Sequence, residues 1–195
     1  SHLAVSSGGD RAHNAFSTGD ERILVLDALT GQSVTTLSGH EEGSEELAWS
    51  ADGKRLATSG LHEHEGRGRE VVWDAATGKA LAEWSVPEKE GRLAFGAWLP
   101  DGRRVYLSAT KESVTLRDVS AGSELAVVKL PARSLFTSDL GSPERLFARL
   151  SPDGKRLAIP CADCSVVVEA LDPAARSVVL RGHSGWVERL AWSPD

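Results

Sequence analysis

Residues 39–60 read GHEEGSEELAWSADGKRLATSG, and residues 70–84 read EVVWDAATGKALAEW. Four short apolar runs follow one another in these stretches, with an Asp-Gly pair at 52–53 and a Thr-Gly pair at 77–78 between successive runs. Asp-Gly between apolar runs is a strong signal for a β-hairpin, because the turn needs a residue that tolerates positive φ. The order of runs therefore predicts four short strands joined by tight turns, an antiparallel meander.

The same order of runs returns along the chain, so the sequence is built from repeats. Asp-Gly pairs recur at residues 52–53, 101–102 and 153–154, each between two apolar runs. A single four-stranded sheet cannot bury both of its faces, whereas stacked sheets bury a continuous core. The repeats predict an all-β protein, a β-propeller of four-stranded antiparallel blades with about four blades in this chain. The third run of each unit ends on an acidic residue: Asp27, Asp74, Asp118 and Glu169.

Counting the strands by type places incomplete units at the two ends of the sequence. If the strands of a unit are called a to d, Leu3–Ser7 matches a b strand and residues 186–195 match an a strand. We expect the C-terminal a strand to complete the first blade, either in its own chain or in a second copy. The sequence thus predicts a single domain over residues 1–195, with blades at approximately 1–38 plus 186–195, 39–85, 86–130 and 131–181.

Four units leave open how a ring of blades would close. Propellers have about four to eight blades, and a ring of four needs much steeper angles between neighbours than a ring of eight. We therefore favour self-association, in which two chains form an eight-bladed ring. A ring of four blades within one chain, and further blades supplied by a longer parent protein, remain alternatives.

A bulky residue occupies one fixed place in the first strand of each unit. Large aromatic side chains normally contribute their area to packing, so we interpret these residues as wedges between blades. They are Trp49, Trp98, Leu150 and Trp192.

The composition excludes several classes of protein. Of the 195 residues, 41% are hydrophobic and 26% are charged, as in ordinary globular proteins. No apolar run approaches the roughly 20 residues of a membrane span. The net charge of -6 argues against a nucleic-acid partner, because binding to phosphates needs clustered Lys and Arg. The two cysteines are too few for the disulfide framework of a small secreted protein, and we expect a cytoplasmic location.

The repeated motifs resemble those of the WD-repeat β-propeller family. The matching elements are the Gly-His pairs at 39–40 and 182–183, the Asp-Gly turns, Trp73-Asp74 and the four-strand period, and they cover nearly the whole chain. The resemblance implies a non-catalytic scaffold without a cofactor, a rigid disc whose rims and faces bind other proteins.

The resemblance also implies a structural network of His, Ser or Thr, Trp and Asp side chains. His40, Thr58 and Trp73 match three of its members, and His183 matches the histidine of the last unit. The place of the Asp is occupied near His62, so the network is incomplete. Elsewhere the units are degenerate, because Leu107 and Ile159 replace the hydroxyl residue while Leu26 and Val168 replace the tryptophan.

Residues 62–70, HEHEGRGRE, form the most polar stretch of the chain. In an extended segment His62 and His64 would lie on one side and could bind a divalent metal. Two ligands are too few for a closed site, which usually takes about four, so we favour a solvated loop and predict no metal cofactor.

Seven residues are our candidates for binding a protein or peptide partner. Acidic residues precede the first strand of the second unit, and the resemblance implies that they lie on the same face as the arginines of the 62–70 loop. A charged patch of this kind can steer a partner. The longest insertion, around residues 130–143, mixes apolar and polar residues. The candidates are Glu41, Glu42, Arg67, Arg69, Arg133, Phe136 and Trp186.

Two features could instead indicate an enzyme. A propeller hydrolase or lyase with His and Glu residues around a metal is our alternative function, but no catalytic set of residues is securely placed. Cys161-Ala-Asp-Cys164 has the CxxC spacing of redox sites, which open a helix, whereas strands are predicted on both sides of this motif. We therefore predict a non-enzymatic protein.

Overall fold

Strands form all the regular secondary structure of the described residues. The structure, a computed structural model, describes residues 1–6, 22–38, 46–62, 67–86, 92–110, 112–129, 148–187 and 189–193. Within these ranges fifteen strands form four antiparallel sheets and no helix is present.

The sheets follow the order of the chain, and hydrogen-bonded neighbours within a sheet are consecutive strands, as a meander requires. This confirms the predicted all-β fold of antiparallel propeller blades. The first sheet contains β1 (His2–Ser6), β2 (Ile23–Asp27) and β3 (Ser33–Leu37). The second contains β4 (Glu46–Trp49), β5 (Arg55–His62), β6 (Arg67–Asp74) and β7 (Ala80–Ser85). The third contains β8 (Arg92–Trp98), β9 (Arg104–Ala109), β10 (Ser113–Asp118) and β11 (Glu124–Lys129). The fourth contains β12 (Arg149–Leu150), β13 (Arg156–Pro160), β14 (Val166–Ala170) and β15 (Val178–Leu180).

The Asp-Gly pairs form the turns between the first two strands of the second, third and fourth sheets. Their glycines have φ values of 67° at Gly53, 80° at Gly102 and 70° at Gly154, which a residue with a Cβ rarely adopts. The aspartates fix the same turns, since Asp52 Oδ1 accepts a hydrogen bond from the Lys54 amide at 3.1 Å. Asp101 and Asp153 accept the equivalent amide hydrogen bonds at 3.0 Å.

The acidic residues at the ends of the third strands hold the next turn. Asp74 Oδ1 accepts hydrogen bonds from the Thr77 hydroxyl at 2.7 Å and from the Thr77 amide at 2.8 Å. These bonds stabilise the carboxylate, and the Thr77 hydroxyl is the largest cause of the lowered pKa of Asp74. The turn after β2 uses Asp27 and Thr30 in the same way.

The core consists of apolar clusters between successive sheets. Ile23, Val25 and Leu37 of the first sheet pack with Leu56, Val71 and Trp73 of the second. Similar clusters join the second sheet to the third and the third to the fourth. The sheets are therefore stacked face to face, which is how a propeller buries both faces of a blade.

The segment that follows β15 packs on the fourth sheet, and its described residues form no strand. Val187, Leu190 and Trp192 lie against Ala158, Val166 and Val168. The first sheet has three strands in the described part of the chain, so its completion by a C-terminal a strand stays a prediction.

The third sheet departs from the register that the repeated sequence predicts. Residues 50–55 link the paired residues Trp49 and Leu56 in the second sheet, whereas residues 99–103 link Trp98 and Arg104 in the third. The β8–β9 hairpin is therefore one residue shorter than the β4–β5 hairpin. Compared with β5 against β6, β9 is displaced by one residue against β10. A slip of one residue turns every side chain of a strand to the opposite face. Arg104 and Tyr106 therefore face the second sheet.

Pairing across the strands corrects three assignments made by aligning the repeats. Ser108 lies opposite Thr115 as Thr58 lies opposite Val71, so Ser108, not Leu107, occupies the hydroxyl position of the third sheet. In the fourth sheet Glu169 lies opposite Leu157 as Trp73 lies opposite Leu56, so Glu169, not Val168, replaces the tryptophan. The position of Asp74 at the end of the third strand is then taken by Ala170 and not by Glu169. Ala170 lies opposite Arg156 as Asp74 lies opposite Arg55.

Candidate functional site

Charged side chains meet in the interior between the second and third sheets. Arg104 Nε donates a hydrogen bond to Glu70 Oε1 at 2.6 Å, and each of these side chains is 1% exposed. Glu46 Oε2 lies 3.9 Å from Arg104 Nη2 and accepts a hydrogen bond from the Gly96 amide at 3.2 Å. We call Glu46, Glu70 and Arg104 the interblade ion cluster.

The interblade ion cluster is incompletely satisfied by hydrogen bonds. Glu70 Oε2 and Arg104 Nη2 have no hydrogen-bond partner among the residues that the structure describes. The pKa of Glu70 is raised to about 7, mainly by burial and in small part by the nearby charge of Glu46, while Arg104 opposes the increase. The cost of removing this carboxylate from water therefore exceeds what the arginine returns.

The raised pKa predicts that Glu70 makes stability depend on pH. The folded protein holds the Glu70 proton more tightly than the unfolded chain, whose glutamate titrates near 4.5. The stabilisation of the folded protein by this bound proton is complete below pH 4.5 and is lost as the pH rises through about 7. Relative to Glu70→Gln, the wild-type free energy of unfolding should fall over this window by up to about 3 kcal/mol. Urea denaturation at several pH values measures the difference, and parallel curves for the two proteins would contradict the prediction.

Gly96 permits the close approach of the two sheets at the interblade ion cluster. A Cβ added at Gly96 would overlap the Arg104 guanidinium and would lie 2.7 Å from Glu70 Oε1. Both groups are buried, so they have little room to move.

Gly96→Ala should therefore destabilise the protein, by roughly 1–3 kcal/mol, as is typical of overpacking. Gly185→Ala is the matched control, because nothing lies within 4 Å of the Cβ that it adds. Chemical denaturation measures both variants. Equal stability of the two variants would show that the interblade ion cluster tolerates the extra carbon.

Two residues of the predicted structural network are in contact. Trp73 Nε1 donates a hydrogen bond to Thr58 Oγ1 at 2.8 Å, from β6 to β5 within the second sheet. Thr58 is fully buried and Trp73 is 6% exposed. The hydrogen bond ties two strands of one blade together at the face that packs on the first sheet.

A double-mutant cycle can measure this hydrogen bond. Trp73→Phe removes the donor and Thr58→Val removes the acceptor, and the double variant removes both. We expect a coupling free energy of about 1 kcal/mol between the two substitutions, the usual net value of a hydrogen bond. Additive losses of stability in denaturation experiments would mean that the contact contributes nothing beyond packing.

The remaining predicted site residues are spread over different parts of the chain. His40, His64, Glu41, Glu42, Arg133 and Phe136 lie outside the described residues. His62 and Arg67 are opposite each other at the end of the β5–β6 pair, and their side chains also lie outside the description. His183 is exposed, and its place in the structural network stays a prediction.

Two of the candidate partner-binding residues have described side chains. Arg69 forms an ion pair with Glu83 across β6 and β7, with Nη2 and Oε1 2.9 Å apart. Trp186 is 56% exposed, although the next residue, Val187, is buried on the fourth sheet. Exposed apolar side chains also line the last strands of the sheets, among them Leu81, Val127 and Leu180.

The interblade ion cluster and the apolar side chains of the last strands were missed by sequence reasoning. Glu70 and Arg104 stand in different repeats, and only the slipped register of β9 brings them together. The signal that could have indicated the cluster is Gly96 inside a predicted strand, because a glycine there often marks a close approach.

The described residues show neither a metal site nor a membrane span. Within them no group of three or more His, Cys, Asp or Glu side chains is placed to hold a metal ion. The same part of the chain has no helix with the length and apolarity needed to cross a membrane.

Stacked antiparallel four-stranded sheets define the β-propeller class. Residues 31–63 match the family model described as WD domain, G-beta repeat, which confirms the resemblance to the WD-repeat family. The match runs from the turn before β3 through the first two strands of the second sheet. No curated protein matches the chain. WD repeats generally serve as protein-interaction scaffolds without catalysis.

Proposed function

We propose that this protein is a non-catalytic protein–protein interaction scaffold of the WD-repeat type, and that it belongs to a larger or oligomeric assembly. Its partners are other proteins or peptides, together with a second copy of the chain in an eight-bladed ring. A cytoplasmic location is part of the same proposal. The observation that carries the proposal is a large aromatic side chain held exposed on a rigid stack of sheets.

Trp186 has the properties of a binding residue. Its side chain is 56% exposed, and Val187 anchors the adjoining backbone in the apolar cluster on the fourth sheet. Tryptophan is enriched among the residues that dominate binding energy, because it contributes a large apolar area with few rotatable bonds. A partner that covers Trp186 would bind a surface already held in place.

The WD-repeat match supports the same function. The matched residues 31–63 build parts of two neighbouring sheets, whose shared core is apolar and closely packed. A packed stack of this kind presents its loops and outer strands to solvent on a fixed frame. We therefore place binding on the exposed surface and assign a structural role to the buried residues.

Affinity capture with variants of the immobilised protein tests the proposal. We expect wild type to retain specific proteins whose binding falls at least about tenfold with Trp186→Ala, the loss expected of a dominant contact. Leu125→Ala is the control, because Leu125 is also exposed but lies on the outer strand of the third sheet. The absence of any specific protein partner, together with strong binding of a small molecule, would contradict the scaffold function.

A further inference from the structure

The outer edge of β1 has no paired strand in the part of the chain that the structure describes. The matching strands β5 and β13 each pair on both sides, whereas β1 pairs with β2 alone. Leu3 is 54% exposed and Val5 is 43% exposed, although Leu56 and Leu157, which match Leu3 in register, are fully buried. The first sheet therefore presents an open edge and an open apolar face.

Trp49 gives an independent sign of a missing neighbour. Trp98 Nε1 donates a hydrogen bond to Ala48 O at 3.0 Å, and Trp192 Nε1 donates one to Arg149 O at 2.9 Å. Each acceptor belongs to the first strand of the preceding sheet and comes directly before its bulky residue. The indole N–H of Trp49 makes no such hydrogen bond to any described residue.

One neighbour of the Trp49 ring matches a neighbour of the Trp98 ring. His2 of β1 stacks on the Trp49 ring with centroids 6.2 Å apart, and Arg55 of β5 lies 4.9 Å over the Trp98 ring. His2 and Arg55 match in register, since they pair with Asp27 and Asp74 respectively. Trp98 has the backbone carbonyl of a preceding first strand as its acceptor, whereas Trp49 has no such acceptor among the described residues.

The C-terminal segment has the sequence and position of such a strand. Leu190-Ala191-Trp192 repeats Leu47-Ala48-Trp49 of β4 residue for residue. It packs on the fourth sheet through Leu190 and Trp192, as Leu47 and Trp49 pack on the cluster shared with the first sheet. β4 also pairs with β5 at its edge, whereas residues 189–193 are in no sheet.

We propose that residues 190–192 of one copy add to the open edge of β1 in a second copy. The β4–β5 register then sets Leu190 opposite Val5, Ala191 opposite Ala4 and Trp192 opposite Leu3. Ala191 O of the first copy accepts the indole hydrogen bond of Trp49 in the second, in the way that Ala48 O serves Trp98. This inference rests on the proposed self-association and specifies its interface.

A second copy is the occupant because one chain leaves both surfaces open at once. In the structure the segment is held on its own fourth sheet by the Trp192–Arg149 hydrogen bond, while Leu3 and Val5 of the same chain stay exposed. The segment can keep this position and still offer its free edge to another molecule. Such an interface joins two different surfaces, and it forms a closed ring when the rotation between copies allows.

Light scattering coupled to size exclusion tests the interface. Wild type should have twice the 20.8 kDa mass of one chain. Leu3→Lys places a charge on the open face of β1, and Ala191→Pro removes the amide expected to pair with Ala4, so each variant alone should have the mass of one chain. Leu125→Lys, an exposed change on β11, is the control and should behave as wild type.

Mixing the two interface variants gives the most specific result. Leu3→Lys keeps an intact C-terminal segment and Ala191→Pro keeps an intact β1, so an equimolar mixture should re-form one interface and a species of two chains. Trp49→Phe should weaken association about fivefold for each interface, the effect of one hydrogen bond, and so roughly 25-fold in a closed ring with two interfaces. Trp98→Phe should instead lower the stability of the single chain and leave association unchanged. Thermal denaturation checks that every variant is folded.

Three outcomes would overturn the interface. They are a wild-type mass of one chain, a doubled mass that Leu3→Lys leaves intact, and failure of the mixture to associate while both variants are folded. If wild type is a single chain but still captures proteins through Trp186, the second-copy interface fails and the scaffold function stands. If the doubled mass behaves as expected and no protein is captured, the second-copy interface stands and the scaffold function fails.

Discussion

Each sheet of this protein carries apolar side chains on both faces, and a face is buried only where a neighbouring sheet covers it. In β5, Leu56 packs toward the first sheet and Ala57 toward the third, and both are fully buried. A sheet left alone would expose both of these faces, at about 25 cal/mol for each Å² of apolar surface. The stack is therefore the stable unit, and the turns and polar contacts act by setting how neighbouring sheets meet.

The interblade ion cluster shows how a polar contact can depend on the packing of apolar residues. The slip of β9 turns Tyr106 into the apolar cluster between the second and third sheets, and it turns Arg104 toward Glu70 on the same face. A buried ion pair usually adds little net stability, because both charges lose their water. Here the ion pair favours one register of β9 over another. In the register predicted from the repeats, Arg104 would face away from Glu70 and the pair could not form. We interpret the pair as fixing the slipped register that the shorter hairpin allows.

The sequence predicted the features of the fold that depend on local chemistry. The Asp-Gly turns, the order of the strands within each sheet and the stacking of sheets follow from turn residues and from the spacing of apolar runs. The a strand predicted within residues 186–195 is not a strand in the described part of the chain. The alignment of repeats failed at Leu107, Val168 and Glu169, because it assumed the same loop length and strand end in every unit. Glu70 and Arg104 could not be paired from sequence, since their contact depends on a register difference of one residue between two sheets. Trp186 could be selected as an exposed candidate, but its exposure depends on how the chain passes over the fourth sheet.

The hydrogen bonds of Trp98 and Trp192 link successive units of the repeat without depending on the side chain of the accepting residue. Trp98 and Trp192 donate to the backbone carbonyls of Ala48 and Arg149, two residues whose side chains have nothing in common. A backbone acceptor is present whatever the side chain, so the residue that carries it can change without loss of the link. The Trp73–Thr58 hydrogen bond needs a particular side chain at each end. In the fourth sheet Glu169 takes the place of Trp73 and Ile159 takes the place of Thr58, so this hydrogen bond has no counterpart there. A link that uses a backbone carbonyl therefore persists at Arg149, in the same sheet where the Trp73–Thr58 pair of side chains has no counterpart.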